Sequence, residues 1–128
     1  AGGLRYHGMA PLVSQLILDD LIRPVAIPQL ETFQAGITFA RTEGFISAPE
    51  TNHAIGIAIR EALKAKEEGK EKVILFNWSG HGLVDMAAYE DFLGGKLSDY
   101  ALPEEEIHRA LEDIEPLPKP KQYRPGTI

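Results

Sequence analysis

The chain contains no cysteine, so disulfides and thiolate metal sites contribute neither stability nor chemistry. No apolar run approaches the roughly 18 residues of a membrane-crossing helix. No basic stretch leads an apolar core at the start, so no secretory signal is expected. Basic residues are the minority charge: 13 Lys and Arg against 19 Asp and Glu give a formal net charge of −6. Such a balance disfavours nucleic acid and anionic membranes as partners. A cytoplasmic location is the expectation these absences leave. An initiator Met is missing too; the chain opens Ala1-Gly2-Gly3-Leu4 and reads as cut from something longer.

What is present is ordinary for a globular domain. Its 128 residues, 44% hydrophobic and 25% charged, suit one modest domain. We read residues 1–115 as that domain and 116–128 as a proline-rich, extended tail. Residues 1–9 form a glycine-rich loop. Pro11 suits a first helical turn, and Leu12, Val13, Leu16, Ile17 and Leu21 carry a helical period to about Ile22. Pro24 ends it. A second helix is expected from Gln29 to Thr42 with Leu30, Phe33, Ile37 and Ala40 inward, stopping at Gly44. A third runs from Thr51 to Glu67 with Ala54, Ile55, Ala58, Ile59, Ala62 and Leu63 as its stripe. Asp85 can cap a short helix from Met86 to Leu93, and Pro103 opens a last one over Glu104, Glu105 and Glu106.

Strands are scarce. Val25-Ala26-Ile27 and Phe45-Ile46-Ser47 are short possibilities. The stretch from Lys72 to Gly82 is the organising one. Val73-Ile74-Leu75-Phe76 is an unbroken apolar run after a charged helix end, the pattern of a strand buried on both faces. Both-face burial implies an α/β fold, with helices above and below a parallel sheet. Ligands in such folds bind at the carboxyl ends of strands, where Ser79 follows Asn77-Trp78. So few strands cannot cover so many helices, and several apolar faces should meet partners outside this sequence.

Four motifs occur in a telling order: Gly3-Leu4-Arg5-Tyr6, Thr42-Glu43-Gly44, Pro49-Glu50-x-x-His53-Ala54, and Asn77-x-Ser79-Gly80-x-Gly82. Together they resemble the C-terminal part of tryptophan synthase β chains. Arg5 after Gly-Leu, and the Ser-Gly-His-Gly form, are like the second type of β chain, found largely in archaea and thermophiles. The resemblance covers residues 1 to about 113. It implies a helix-rich piece of the three-layer α/β/α parallel-sheet domain of a fold-type II pyridoxal-phosphate enzyme. The implied reaction is β-replacement, a lyase activity joining indole to L-serine, or an activated serine, in tryptophan biosynthesis.

The resemblance also implies roles. Ser79 would meet the pyridine nitrogen of the cofactor. A neutral hydroxyl can donate to that nitrogen but cannot protonate it as a carboxylic acid would. Glu50 would stand beside the ring as a general acid/base toward indole. Gly3 and Gly80 would lie against the cofactor, and the carbonyls of Tyr6 and Gly8 would bind an activating monovalent cation. Arg5 replaces an aspartate of first-type chains, and a guanidinium suits a leaving group such as phosphate. The family's Schiff-base lysine and phosphate loop have no counterpart here, since every lysine lies at a helix end, a strand edge or in the tail. The chain alone is therefore expected to be inactive. The rest of the parent chain, a homodimer partner and an α subunit are the implied partners.

Without the resemblance, blander readings stand. Ser79 can be a turn serine and Glu50 a helix-start carboxylate. His53 and His81 form no metal-binding spacing. A serine after a buried strand also suggests a hydrolase using Ser79, His53 and Asp85, although Asn77 stands where a nucleophile elbow wants glycine. A non-catalytic interaction module is the third class, consistent with exposed apolar faces.

Overall fold

The computed structural model describes residues 9–112 and 114–118. These contain five helices, α1 (Pro11–Leu18), α2 (Gln29–Glu43), α3 (Thr51–Glu67), α4 (Met86–Leu93) and α5 (Glu104–Glu112). Two compact units are formed. Among the described residues, Val25–Asp99 belongs to the first, and Ala10–Pro24 with the residues from Tyr100 onward to the second.

The first unit holds the core. α2 packs along α3 and touches α4. Phe33 is the pivot: its ring meets Tyr89 edge-on at 5.2 Å and stacks on Phe92 at 5.5 Å, geometries that aromatic quadrupoles favour. Ala35, Ile55 and Ala65 complete the buried apolar set. Close approach of α2 and α3 depends on Gly36, where a Cβ would collide with the Asn52 side chain. α2 ends at Gly44 with φ 79°, and the Gly44 N–H donates to Ala40 O. Glycine adopts that left-handed geometry without the penalty a Cβ brings. In the second unit, α1 and α5 bury none of their side chains.

The helix faces turn differently from the expected stripes. α3 buries Thr51, Asn52, Ile55, Gly56 and Ala65, whereas Leu63 is exposed. Small and polar side chains occupy the contact because α2 approaches too closely for larger ones. α1 stops at Leu18 rather than Ile22. The Asp19 N–H donates to Gln15 O, and Asp20 then turns the chain at φ 55°.

The largest correction concerns the sheet. Among the described residues there is no strand, only a single antiparallel bridge between Ser47 and His81. Residues 25–27 are irregular, and residues 73–77 lie outside any sheet. Val73 and Leu75 are 99% and 93% exposed, while Ile74 and Phe76 are half-buried. The segment thus covers the helices with alternate side chains and leaves the others bare, the period of a strand with one face used. Burial on both faces is not met by the described residues. A strand needs a neighbour about 4.8 Å away to take its N–H and C=O groups, and the described residues supply none.

Candidate functional site

The site region is built where two loops cross. The loop before α3 runs beside the loop after residues 73–77. Ala48 N–H donates to Gly80 O at 2.9 Å, and Gly82 N–H donates to Ile46 O at 2.8 Å. Gly82 is required here, because a Cβ would strike the Ser47 carbonyl; a Cβ on Gly80 would press on Ala48 at 3.2 Å. The Gly-x-Gly pattern thus serves close backbone approach.

Side chains lock this crossing from below. Ser47 and Asn52 are fully buried. The Trp78 indole N–H donates to Ser47 Oγ at 2.7 Å. The Tyr89 hydroxyl donates to Ser47 O at 2.5 Å and accepts from Asn52 Nδ2 at 2.9 Å. Burial, the largest influence, raises the Tyr89 pKa above its ordinary value; the bond from Asn52 lowers it and Asp85 adds a small rise. Every buried side-chain N or O among the described residues has a partner, as a rigid polar support requires.

Above this support sit the expected site residues. Ser79 is exposed, and its Oγ lies 3.1 Å from Thr51 Oγ1. Thr51 is the first residue of α3 and is 2% exposed. Glu50 directly precedes it, half-buried. The His53 ring packs back on this turn, with Nδ1 3.1 Å from Glu50 O. A carbonyl only accepts, so Nδ1 carries the hydrogen. Ser79 and Gly80 thus lie at one crossing with Thr51, and Glu50 adjoins it in the chain. Arg5, Gly3, Tyr6 and Gly8 lie outside the described residues.

The hydrolase arrangement is not assembled. Ser79 Oγ pairs with Thr51 and His53 with the Glu50 carbonyl, and no hydrogen bond joins Ser79, His53 and Asp85. Asp85 stands at the N-cap of α4 without a side-chain cap bond. Among the described residues no group of three or more His, Asp or Glu could hold a metal ion. His81 is exposed, with Nδ1 accepting from Leu83 N–H at 3.3 Å. A separate apolar cavity of about 300 Å³ lies between α2 and α3 under Ile74 and Phe76.

Thr51, Ser47, Asn52 and Tyr89 were not marked by their sequence. One signal was available for Asn52: it falls one helical turn before the inward Ile55, where a polar side chain must find a partner.

Comparison with known proteins shows similarity to a class of synthases. The chain is a homologue of tryptophan synthase beta chains. It is 64% identical over 105 residues to the tryptophan synthase beta chain of Thermococcus onnurineus, a match covering 82% of this chain and 24% of that one. It is 63% identical over 100 residues to that of Thermococcus gammatolerans, covering 78% and 23%. To the tryptophan synthase beta chain 2 of Aquifex aeolicus it is 61% identical over 99 residues, covering 77% and 23%. The chain thus spans about a quarter of the length of the curated relatives it matches. No family model matches it. No helix among the described residues is long and apolar enough to cross a membrane.

Proposed function

We propose that this chain is the C-terminal segment of a second-type tryptophan synthase β-like lyase. The parent enzyme joins L-serine, or an activated serine, to indole and releases the serine β-substituent. Residues 73–77 serve there as one strand of a parallel sheet in an α/β/α domain, with neighbours from the rest of the parent chain. Similarity to tryptophan synthase beta chains supports this reading, and so does an extended segment whose alternate side chains are bare.

The observation that carries the site is the Ser79 hydroxyl. It is exposed, stands on a loop crossing tied by backbone hydrogen bonds, and among the described residues its side-chain hydrogen-bond partner is another hydroxyl. Such a group fits a neutral ring nitrogen, since it can donate without surrendering a proton. When bound, pyridoxal phosphate supplies the electron sink that lets the β-substituent leave. Ser79 orients the ring and keeps its nitrogen unprotonated. Gly80 lets the backbone lie close. The Glu50 carboxylate accepts the indole proton and so raises the nucleophilicity of the ring carbon. Gly3 adds backbone beside the cofactor, Arg5 acts on the leaving group, and the carbonyls of Tyr6 and Gly8 hold a monovalent cation. The parent is a homodimer able to dock an α subunit, and works in the cytoplasm.

The test is Ser79→Asp in the full-length β chain. A carboxyl there protonates the ring nitrogen, so the cofactor absorbance and the ratio of tryptophan to side products should both change. Identical spectra and product ratios would remove Ser79 from the cofactor site. Labelling of Ser79 by a serine-directed phosphonate would instead favour a hydrolase.

A further inference from the structure

We propose that Thr51 is a positioning residue: it donates its hydrogen to Ser79 Oγ and so leaves the Ser79 hydrogen free for a ring nitrogen. The inference rests on the reading of Ser79 as the partner of the cofactor pyridine and names what sets that hydroxyl's direction.

The argument is one of hydrogen counting. Thr51 Oγ1 has a single hydrogen and two acceptors in reach, Ser79 Oγ at 3.1 Å and Gly80 O at 3.4 Å. Gly80 O already accepts the Ala48 N–H at 2.9 Å. Gly80 O keeps a second lone pair, but its 3.4 Å contact with Thr51 is the longer and weaker one, so the Thr51 hydrogen is assigned to the shorter contact with Ser79 Oγ. Ser79 then accepts from Thr51 and retains its own hydrogen. Among the described residues its oxygen has no other side-chain partner.

Stiffness adds to direction. An exposed serine samples several χ1 wells. Thr51 is β-branched, buried, and fixed in the first turn of α3, which sits against the Ala48–Gly80 crossing. Its oxygen therefore has one place to be, and Ser79 is held by it. A hydroxyl that accepts one hydrogen bond is also a better donor of the next, because chained bonds polarise one another. The relay consists of neutral groups only, which suits a nitrogen that must stay unprotonated.

The experiment uses full-length β chain loaded with cofactor labelled with nitrogen-15 in the ring. Ring-nitrogen chemical shift and cofactor affinity are measured for Thr51→Val, Thr51→Ser, Ser79→Ala and the Thr51→Val/Ser79→Ala double variant. Thr51→Val keeps the shape and removes the hydroxyl. It should move the resonance toward that of a nitrogen without a donor and weaken cofactor binding about tenfold, the scale of one hydrogen bond. Thr51→Ser should restore both to within about twofold, and in the Ser79→Ala background Thr51→Val should add nothing. If Ser79→Ala moves the resonance but Thr51→Val does not, the relay is wrong and the Ser79 reading survives. If Ser79→Ala leaves the resonance in place, the Ser79 reading fails and the relay fails with it. Should Thr51→Val misfold, Thr51→Ala replaces it; collapse of both marks the hydroxyl as structural and overturns the proposal.

Discussion

Tyr89 shows how one hydroxyl can decide the shape of a loop several residues from any chemistry. It bridges Asn52 on α3 to the Ser47 carbonyl, and so fixes the backbone that leads into Glu50 and Thr51. Tyr89→Phe strands both partners in a buried place. We expect a loss of about 1–3 kcal/mol, the cost of unpaired buried polar groups, read from denaturant unfolding of the full-length chain. Cofactor affinity should fall with it. The pH dependence has a definite sign. Burial raises the folded-state pKa above the ordinary 10.0, so the folded form favours the neutral phenol. That stabilisation is whole below about pH 10 and is lost as pH rises through the folded value. Alkaline unfolding should therefore lose its steepest component in Tyr89→Phe. Little of this network was legible beforehand. Ser79 and Glu50 stood out through motif order, whereas Thr51 and Tyr89 look like ordinary helix residues until the loops are folded together.

At the scale of elements, α2 and α3 are joined at their outer edge by an ion pair. Arg60 Nε donates to Glu31 Oε1 at 2.6 Å, and its Nη2 reaches Oε2 of the same carboxylate. The hydrogen bond from Arg60 is the main cause that lowers the Glu31 pKa from 4.5, with desolvation opposing and charge attraction assisting. Both side chains are well exposed, so water screens the pair. Glu31→Gln should cost only about 0–1 kcal/mol at neutral pH. A depressed carboxyl pKa stabilises above the unfolded value and loses that stabilisation as pH falls through the folded one. The gap between Glu31→Gln and wild type should accordingly close in acid; a gap that persists at pH 2 would contradict the ionic account. Helix limits were the most legible feature: α3 and α4 run over the expected residues because their signals are local, a hydrophobic period and a glycine at the far end. The segment 73–77 forms no strand among the described residues, for the opposite reason. Its β-formers specify an extended backbone, but pairing is non-local, and no neighbour comes from the described residues.

For the whole molecule, the ratio of covered to bare apolar surface is the governing fact. Phe33, Ala35, Ile55, Ala65 and Tyr89 form the buried set, while Val73, Leu75, Val84, Leu12 and many others are exposed. On the proposed reading, exposed surface on this scale is where the rest of the parent chain would pack. The 128-residue chain on its own should bind apolar dyes, unfold with poor cooperativity, and make no tryptophan from serine and indole. Tryptophan formation by the purified chain with pyridoxal phosphate would overturn the reading that the lysine and phosphate loop reside elsewhere. The similarity to tryptophan synthase beta chains was legible in four short motifs in register, whereas the layered sheet was not, because strand pairing is non-local and motifs are local.

The half-covered stretch from Val73 to Phe76 also bears on solubility. Four apolar β-formers in a row, without proline or charge, have the composition of a fibril-forming segment, and here their backbone is free to recruit another copy. Immediately upstream the chain carries Lys64, Lys66, Glu67, Glu68, Lys70, Glu71 and Lys72, a block of mixed charge of the kind that guards such segments. Leu75→Lys should lengthen the lag of thioflavin-positive assembly in the isolated chain. On the proposed reading, the charge beside this bare edge would keep the separated segment dispersed until other backbone arrives to cover it.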